Sequence, residues 1–364
     1  MLARDINAGT DISLAALGDV QLNENLVARA GAIDIQGRNI DLAGDLSAET
    51  DINIVSTTGA LQQQGLLQSQ QGNIAIDVDG DLVMASNSET QAAGSIIYRA
   101  ANIAVTGMKT EAGAVTLTAH RGAVTDSNGE NVNVTAQRLV IDAETGIGAS
   151  DVIETLVSEL SVSNNQGDIR LQNSQEVTVD RLRSNGNIVF NNLSGSVTLD
   201  NTNGLLFSRN EPDARAAGGT MNANYDIGTL TINVAQGDLA AINTPNLNNP
   251  DIVARNAALI APTGNIGSPG RPLVIYVKDS LFIGGLRSWS PLWGFDTAPQ
   301  FVENTSTIQG NLSDLLASGN EQLVAVETLE EVNPAIFTSV RNYFYDDISI
   351  LLPRDQLYYD DEYE

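Results

Sequence analysis

The sequence is poor in residues that stabilise small secreted folds or build catalytic centres. It contains no cysteine, a single histidine and only 5% aromatic residues among its 364. Without cysteine there are no disulfides and no thiolate ligands, so stability has to come from a hydrophobic core. Because so few rings are present, that core is expected to be narrow and lined by Ile, Val, Leu and Ala.

Basic residues are also scarce, with 18 Lys and Arg against 45 Asp and Glu and a formal net charge of −27. Nucleic acids and anionic membrane surfaces are bound through basic side chains, so this composition argues against both as partners. No apolar run reaches the roughly 18 residues of a membrane-spanning helix, so we expect no transmembrane segment. No apolar stretch follows Met1 either, so no signal peptide is visible.

A short phrase recurs along the first 140 residues. Each copy has an apolar–x–apolar unit that follows Gly, Asp or Asn, as in residues 31–35, 50–54 and 72–76. Alternation over so few residues is the period of a β-strand, and the preceding residues are turn formers. The repeat begins at Asp5 without a polar cap, which indicates the C-terminal end of a longer protein.

The copies are about 20 residues apart, within the range of solenoid repeats. Successive first units begin at Ile12, Ile33, Ile52, Ile74, Ile96, Val115 and Leu139. Second units begin at Val20, Ile40, Leu61, Leu82, Ile103 and Val124, and shorter third units at Leu26, Leu46, Leu67 and Met108. The pattern resumes at Ile169/Val177/Leu182, Ile188/Val197/Leu205 and Leu230/Leu239.

Three other folds fit this pattern less well. Amphipathic helices need apolar residues at i, i+3, i+4 and i+7, leucine-rich repeats need a fixed Leu/Asn consensus, and β-sandwiches lack a lasting period. The sequence therefore predicts an all-β, single-chain parallel β-helix over residues 1–285, with side loops near 206–227 and 243–251. Residues 151–160 are compatible with a helix, but a similar, more β-prone copy at 264–283 favours strands for both.

The pattern changes after residue 285. Helical spacing appears at Leu312/Leu315/Leu316 and at Ile336/Phe337/Val340/Phe344. We expect residues 286–364 to form a small cap or anchoring region with helices and an acidic tail. Aromatic residues that could contact a partner are Trp289, Trp293, Phe295, Tyr358 and Tyr359. A hydrophobic cap over the end of the coil is the favoured explanation for the first three, because an open coil end exposes apolar surface and unpaired strands.

The repeat phrase of residues 44–54, Gly-Asp-Leu-Ser-Ala followed by Asp-Ile-Asn-Ile, resembles the repeats of filamentous-haemagglutinin-like exoproteins. These are Gram-negative adhesins exported by two-partner secretion, and the resemblance covers residues 5 to about 285. It implies a right-handed parallel β-helix, a secreted or outer-membrane-associated cell-surface location, and a role in adhesion, cell aggregation or biofilm formation. The implied partners are an outer-membrane two-partner secretion transporter and a host-cell or matrix carbohydrate or protein. The family's N-terminal secretion domain is not in this sequence.

The residues suggest little chemistry of their own. His120 follows a strand and has no catalytic or metal-binding partner nearby in sequence, so an exposed turn residue is expected. Asp77, Asp79 and Asp81 could bind Ca²⁺, although calcium-loop spacing is absent and turn closure explains them as well. We therefore expect no cofactor, no catalytic residue and no enzyme activity.

The alternative is a carbohydrate-active β-helix, a polysaccharide lyase or hydrolase. In such a fold, carboxylates from neighbouring turns can meet without any sequence motif. Asp200, Asp213 and Arg215, close to the largest loop, are the residues to examine first under this alternative.

Overall fold

A computed structural model describes residues 5–200, 228–242, 251–293 and 300–303. Within these residues the chain forms thirty β-strands in one continuous hydrogen-bonded sheet. The strands are β1 (Ile6–Ala8), β2 (Ile12–Ala15), β3 (Val20–Leu22), β4 (Leu26–Ala28), β5 (Ile33–Gly37), β6 (Ile40–Leu42), β7 (Leu46–Ala48), β8 (Ile52–Ser56), β9 (Leu61–Gln63), β10 (Leu66–Ser69), β11 (Ile74–Val78), β12 (Leu82–Met84), β13 (Glu89–Ala92), β14 (Ile96–Ala100), β15 (Ile103–Val105), β16 (Gly107–Thr110), β17 (Ala114–Ala119), β18 (Ala123–Asp126), β19 (Val134–Ala143), β20 (Gly146–Ile147), β21 (Ile153–Asn164), β22 (Ile169–Asn173), β23 (Val177–Ser184), β24 (Ile188–Asn192), β25 (Val197–Leu199), β26 (Thr229–Val234), β27 (Leu239–Ala241), β28 (Ile252–Ile266), β29 (Ile275–Trp293) and β30 (Gln300–Glu303).

The strands coil into a parallel β-solenoid of about 11 turns with about 21 residues per turn, which confirms the predicted fold class. Each turn is called a rung below, and a column of stacked side chains from successive rungs is called a ladder. Each strand pairs in parallel with its counterpart in the next rung, as β5 pairs with β8 and β8 with β11. The exception among the described strands is the antiparallel pair β29–β30.

The two main ladders follow the predicted spacing residue for residue. Ile33 pairs with Ile52, Ile52 with Ile74 and Ile74 with Ile96, and the ladder continues through Val115 to Leu139. The second ladder runs from Val20 to Val124 in the same way. Their side chains are almost fully enclosed, so the core is a continuous apolar column inside the coil.

The third ladder contains a polar residue that the apolar pattern did not reveal. Thr90 lies between Leu67 and Met108 and is fully buried. Its hydroxyl lies 2.6 Å from the hydroxyl of Tyr98, which in turn donates to Gln63 Oε1 at 3.2 Å. Burial raises the pKa of Tyr98, so the phenol stays neutral and holds this internal cluster as a hydrogen-bond donor.

The Asp and Asn residues before the strands bind the next rung through their side chains. The backbone N–H of Asn25 donates to Asp5 Oδ1, that of Asp45 to Asn25 Oδ1, and that of Leu66 to Asp45 Oδ1. These 2.8–3.0 Å bonds satisfy donors that the sheet leaves unpaired at the corners. The corner glycines follow from the same stacking, since a Cβ on Gly65 would lie 2.4 Å from the carbonyl oxygen of Gly44.

From residue 134 onward several strands are longer and pass through what are separate strands in the earlier rungs. β19 continues the third ladder at Val134 and the first at Leu139 within one strand. The adjacent β21 spans 12 residues and pairs with β19, so the residue 151–160 segment is a strand rather than a helix. Ile169 was predicted to start a rung on the first ladder, but it pairs with Ile147 and so belongs to the second ladder. The reason is that the long strands shift the position at which each rung begins.

The rungs on either side of residues 201–227 are direct neighbours. Ile188 of β24 pairs with Leu230 of β26, and Asn187 accepts a hydrogen bond from Thr229, 42 positions later in the sequence. β29 passes residue 285 without a break and ends at Trp293. The helices predicted within residues 286–364 lie outside the described residues.

Candidate functional site

A cluster of charged side chains crosses three rungs on the outer face of the second half of the coil. Arg138 of β19 donates to Glu159 of β21 at 2.9 Å and to Asp180 of β23 at 2.5 Å. Successive members are 21 positions apart in the sequence, close to the length of one rung. The strand register places Arg138 beside Glu159, and pairs Glu159 with Thr178 rather than with Asp180. We call them the Arg138 cluster.

An irregularity in the sheet turns Asp180 toward this cluster. Leu160 pairs with Val179 but Ser161 pairs with Arg181, so Asp180 is an extra residue in β23. A bulge of this kind re-aims a side chain and often occurs next to a functional site. Asp180 Oδ1 is buried with no hydrogen-bond partner within the protein, and its other oxygen binds Arg138.

The chemistry of the Arg138 cluster is that of an ion-pair network. The hydrogen bond that Arg138 donates to Asp180 raises the pKa of the guanidinium, with Glu159 adding to the effect against the opposing influence of burial. One guanidinium thus holds a carboxylate on each of two other strands. The arrangement suits a link between rungs or recognition of a polar ligand.

A second group of polar residues lies where β18 ends and β21 begins. The Glu154 side chain at the start of β21 is only 5% exposed, and its Oε2 meets no hydrogen-bond partner within the protein. Burial, with smaller contributions from the carboxylates of Asp126, Asp151 and Glu130, raises the pKa of Glu154 to about 7. Glu154 is therefore partly protonated at neutral pH.

The loop between β18 and β19 lies beside the start of β21 and is hydrogen-bonded to the Glu154 backbone. The backbone N–H groups of Asn128 and Gly129 donate to the two oxygens of Asp126, at 3.0 and 2.8 Å. Asn133, fully buried, donates through its side chain to Asp126 and accepts the Glu154 N–H at 2.8 Å. Asn133 thus connects the loop to Glu154. We call residues 126–133 together with Glu154 the acidic loop site.

His120 and the three aspartates singled out from the sequence have different environments and partners. His120 follows β17, is half-buried rather than exposed, and its Nδ1 has no hydrogen-bond partner within the protein. Asp77 and Asp79 form ion pairs with Arg99 and Arg121, each at 3.2 Å. Asp81 accepts a hydrogen bond from Asn102 in the next rung. These three carboxylates therefore bind neighbouring rungs.

Of the aromatic residues predicted as an interaction surface, the structure describes the backbone of two. The backbones of Trp289 and Trp293 lie in β29, where Trp289 pairs with Glu303 of β30. Phe295, Tyr358 and Tyr359 lie outside the described residues, as do Asp213 and Arg215. Asp200 follows β25 and its backbone N–H donates to Val179, so it lies one strand away from the Arg138 cluster.

Sequence reasoning missed both clusters, although one signal was available. Aligning the chain at its own period places Arg138, Glu159 and Asp180 in one column, so a search for charged residues one rung apart would have found them. No such signal exists for Glu154, because its burial arises in the folded coil and not from its local sequence.

Comparisons with protein-family models, with curated proteins and with solved structures each found no match to this chain. In the part of the chain that the structure describes, no helix is long and apolar enough to cross a membrane. The same residues contain no group of three or more His, Asp or Glu side chains placed to hold a metal ion.

Proposed function

We propose that this chain is the rod of a secreted or cell-surface adhesin of the filamentous-haemagglutinin type, acting in adhesion, cell aggregation or biofilm formation. The observation that carries the proposal is the continuous core. The first ladder continues without interruption from Ile12 to Leu139, and every rung adds apolar contacts to the last. A column of this kind gives a stiff, elongated support whose stability grows with each repeat.

The outer surface supports the same function. Many outward polar groups bind the next rung, as Asp77 binds Arg99 and Asn53 binds Asp34. The strong acidic excess keeps such a rod soluble and keeps copies apart by repulsion. In this proposal an outer-membrane two-partner secretion transporter exports the chain, and host-cell or matrix carbohydrate or protein is its ligand.

Adhesion is testable by display of the chain on a non-adherent Gram-negative laboratory strain. We expect the displayed chain to increase cell aggregation and attachment to matrix-coated surfaces. The matched control is the Ile74→Asp variant, which breaks the core, shown at equal surface density. Equal attachment by cells with and without the intact rod would contradict the proposal.

Deleting residues 298–364 then tests retention at the cell surface, measured as the ratio of cell-bound to released protein.

The Arg138 cluster favours one second candidate, a carbohydrate-active β-helix enzyme. Carboxylates from adjacent rungs and an arginine lie on one face beside a bulge, an arrangement that could bind an acidic or neutral polysaccharide. We expect no release of reducing ends or unsaturated products by the purified chain. Product formation that Glu159→Gln, Asp180→Asn, Asp200→Asn or Asp213→Asn abolishes would establish the enzyme instead.

A further inference from the structure

The outer side of one wall of the coil is buried in the last rungs. We call this surface the uncharged face, and it consists of outward positions of the adjacent strands β24, β26 and β28: Val189, Asn191, Thr231, Asn233, Ala258 and Ile260. Thr231, Asn233 and Ile260 are each no more than 3% exposed. Val83, on the outer side of the same ladder in an earlier rung, is 41% exposed. Burial of both sides of the wall is therefore a feature of its last rungs.

The side chains of the uncharged face do not belong to the interior of the coil. Along each strand they alternate with core residues, as Thr231 does with Ile232. Val189, Ala258 and Ile260 are buried, yet they lie outside the continuous apolar core. The main strand contacts of β26 are with β24 and β28, which lie beside it in the wall and not over its outer side. The strands of the wall therefore do not account for the burial of this face.

The composition of the uncharged face indicates an apolar partner that also carries hydrogen-bond donors. The face has no Asp, Glu, Lys or Arg, although Arg170 occupies the position beside Val189 in the preceding rung. Asn191 and Asn233 lie next to each other, and the Oδ1 atom of each is buried with no hydrogen-bond partner within the protein. Buried amide oxygens are normally paired, so a segment that packs here has to supply donors along with apolar contacts.

A segment with these properties occurs near the C-terminus of the sequence. Residues 333–345 start with Asn-Pro, a favourable helix start, and place four apolar residues on one side of a predicted helix: Ile336, Phe337, Val340 and Phe344. In a helix Arg341 lies beside this stripe, and its guanidinium supplies N–H donors. A helix over residues 334–345 is about 18 Å long, close to the roughly 14 Å that β24, β26, β28 and β29 span side by side.

This segment can reach the uncharged face from the end of the last described strand. β30 ends at Glu303, which pairs with Trp289 of β29. The same strand contains Phe282, which pairs with Ala258 of the face, and Trp289 is at most about 25 Å along the strand from it. Residues 304–333 span up to about 100 Å when extended, so the length of the connection does not restrict docking. A second copy of the chain fits less well, because each copy carries a net charge of −27.

We propose that residues 333–345 dock as an amphipathic helix on the uncharged face, with the Ile336/Phe337/Val340/Phe344 stripe against β24, β26 and β28. The C-terminal region then packs on the outer wall of the last rungs and not over the open end of the coil. Docking covers apolar side chains that the wall would otherwise expose to water. The proposal does not depend on the adhesin function.

The test uses single thiols, since the chain has no cysteine of its own. Thr231→Cys places a thiol in the middle of the uncharged face, and Val83→Cys places one on the exposed part of the same wall. In the full chain, a maleimide should label Thr231→Cys at least about tenfold more slowly than Val83→Cys. Adding Val340→Asp should remove most of this difference, because a charge in the stripe opposes burial. The matched control, Thr338→Asp, puts the same charge on the opposite side of the predicted helix and should leave the thiol protected.

Disulfide formation provides a second readout that needs no added charge. Thr231→Cys in the full chain should form a disulfide within one chain when combined with at least one of four partners: Ile336→Cys, Phe337→Cys, Val340→Cys or Phe344→Cys. Val83→Cys with the same partners should not. Failure of all four pairs, or equal labelling of Thr231→Cys and Val83→Cys, overturns the proposal.

The labelling experiment also identifies the other possible occupants of the face. Protection of Thr231→Cys that persists unchanged with Val340→Asp means that a different part of the chain covers the face. Protection that is lost on dilution means that a second copy covers it. Either result overturns the assignment of the face to residues 333–345.

Discussion

The coil from β1 to β18 and the coil from β19 onward bury different kinds of polar side chain. The first part encloses mainly hydroxyl groups and one amide, that of Gln63. The second encloses several asparagines together with Glu154 and Asp251. All but one of the buried side-chain atoms without a hydrogen-bond partner within the protein also lie in the second part.

This contrast separates two ways of building the same solenoid. Short strands and frequent Asp, Asn and Gly corners make the first part regular, and its polar groups bind the next rung. Longer strands such as β19 and β21 make the second part, and a bulge and a loop there place charged groups where the core alone would not. Strained or unsatisfied groups concentrate at functional sites in proteins, so the second part is the place to look for function.

The largest expected effect comes from breaking the regular core. Ile74→Asp should lower the free energy of unfolding by more than about 3 kcal/mol, because burial of the side chain is lost and a charge is left unpaired. The matched control is Ile97→Asp, 23 positions later in the next rung, where the isoleucine is 47% exposed. Chemical denaturation of both variants measures the difference, and a similar loss in both would contradict an interior ladder.

The next prediction concerns the contribution of buried asparagines in the second part to the free energy of unfolding. Asn173 donates to Asn192 Oδ1 at 3.0 Å and accepts from the Val157 N–H at 3.0 Å, all inside the coil. Asn173→Ala should therefore cost about 1–3 kcal/mol, since its partners are left unsatisfied. Asn53→Ala, which removes an exposed bond to Asp34, should cost less than about 0.5 kcal/mol. Denaturation midpoints of the two variants decide whether the internal amides stabilise the fold.

The pH dependence of stability should have opposite sign in the two parts. Burial raises the pKa of Glu154 from 4.5 to about 7, so the folded state binds this proton more tightly than the unfolded state does. Protonation of Glu154 therefore adds to the free energy of unfolding at low pH, and this contribution is lost as the pH rises through 7. Hydrogen bonds from Arg38 and Asn39 lower the pKa of Asp19 from 3.8 to about 2. The ionised carboxylate therefore adds to the free energy of unfolding at higher pH, and this contribution is lost as the pH falls through 2.

Replacing Glu154 by Gln isolates the first of these effects. In metal-free buffer the variant should gain roughly 1–2 kcal/mol relative to the wild type at pH 8, and the gain should vanish below pH 4.5. Unfolding curves collected across this range measure it. A gain that does not change with pH would show that Glu154 does not titrate in this window.

The smallest expected effect is the loss of stability on removing an ion pair from each of the two parts. Arg138→Ala removes two ion pairs, and one of the partners of Arg138, Asp180, has a side chain only 16% exposed. Arg38→Ala removes one ion pair in which both side chains are more than half exposed. We expect a loss of about 1 kcal/mol for Arg138→Ala and close to zero for Arg38→Ala, both smaller at high salt. Equal losses would remove the distinction between the Arg138 cluster and ordinary surface pairs.

The sequence alone determined the fold and much of the register. Residues such as Ile33, Ile52 and Ile74 alternate with polar neighbours at a fixed period, and each rung has an apolar face that only the next rung can cover. The same spacing places Arg138 beside Glu159 on the outer face, whereas Asp180 joins them only through the bulge in β23.

Only the tertiary structure decided the remaining features. Thr90 enters the core because Tyr98 and Gln63, from other strands, supply partners for its hydroxyl. The same holds for Glu154, whose raised pKa arises from its burial in the folded coil and from neighbouring carboxylates. Local pattern specifies which face of a strand turns inward, but the partners and solvent exposure of a polar group depend on what packs against it.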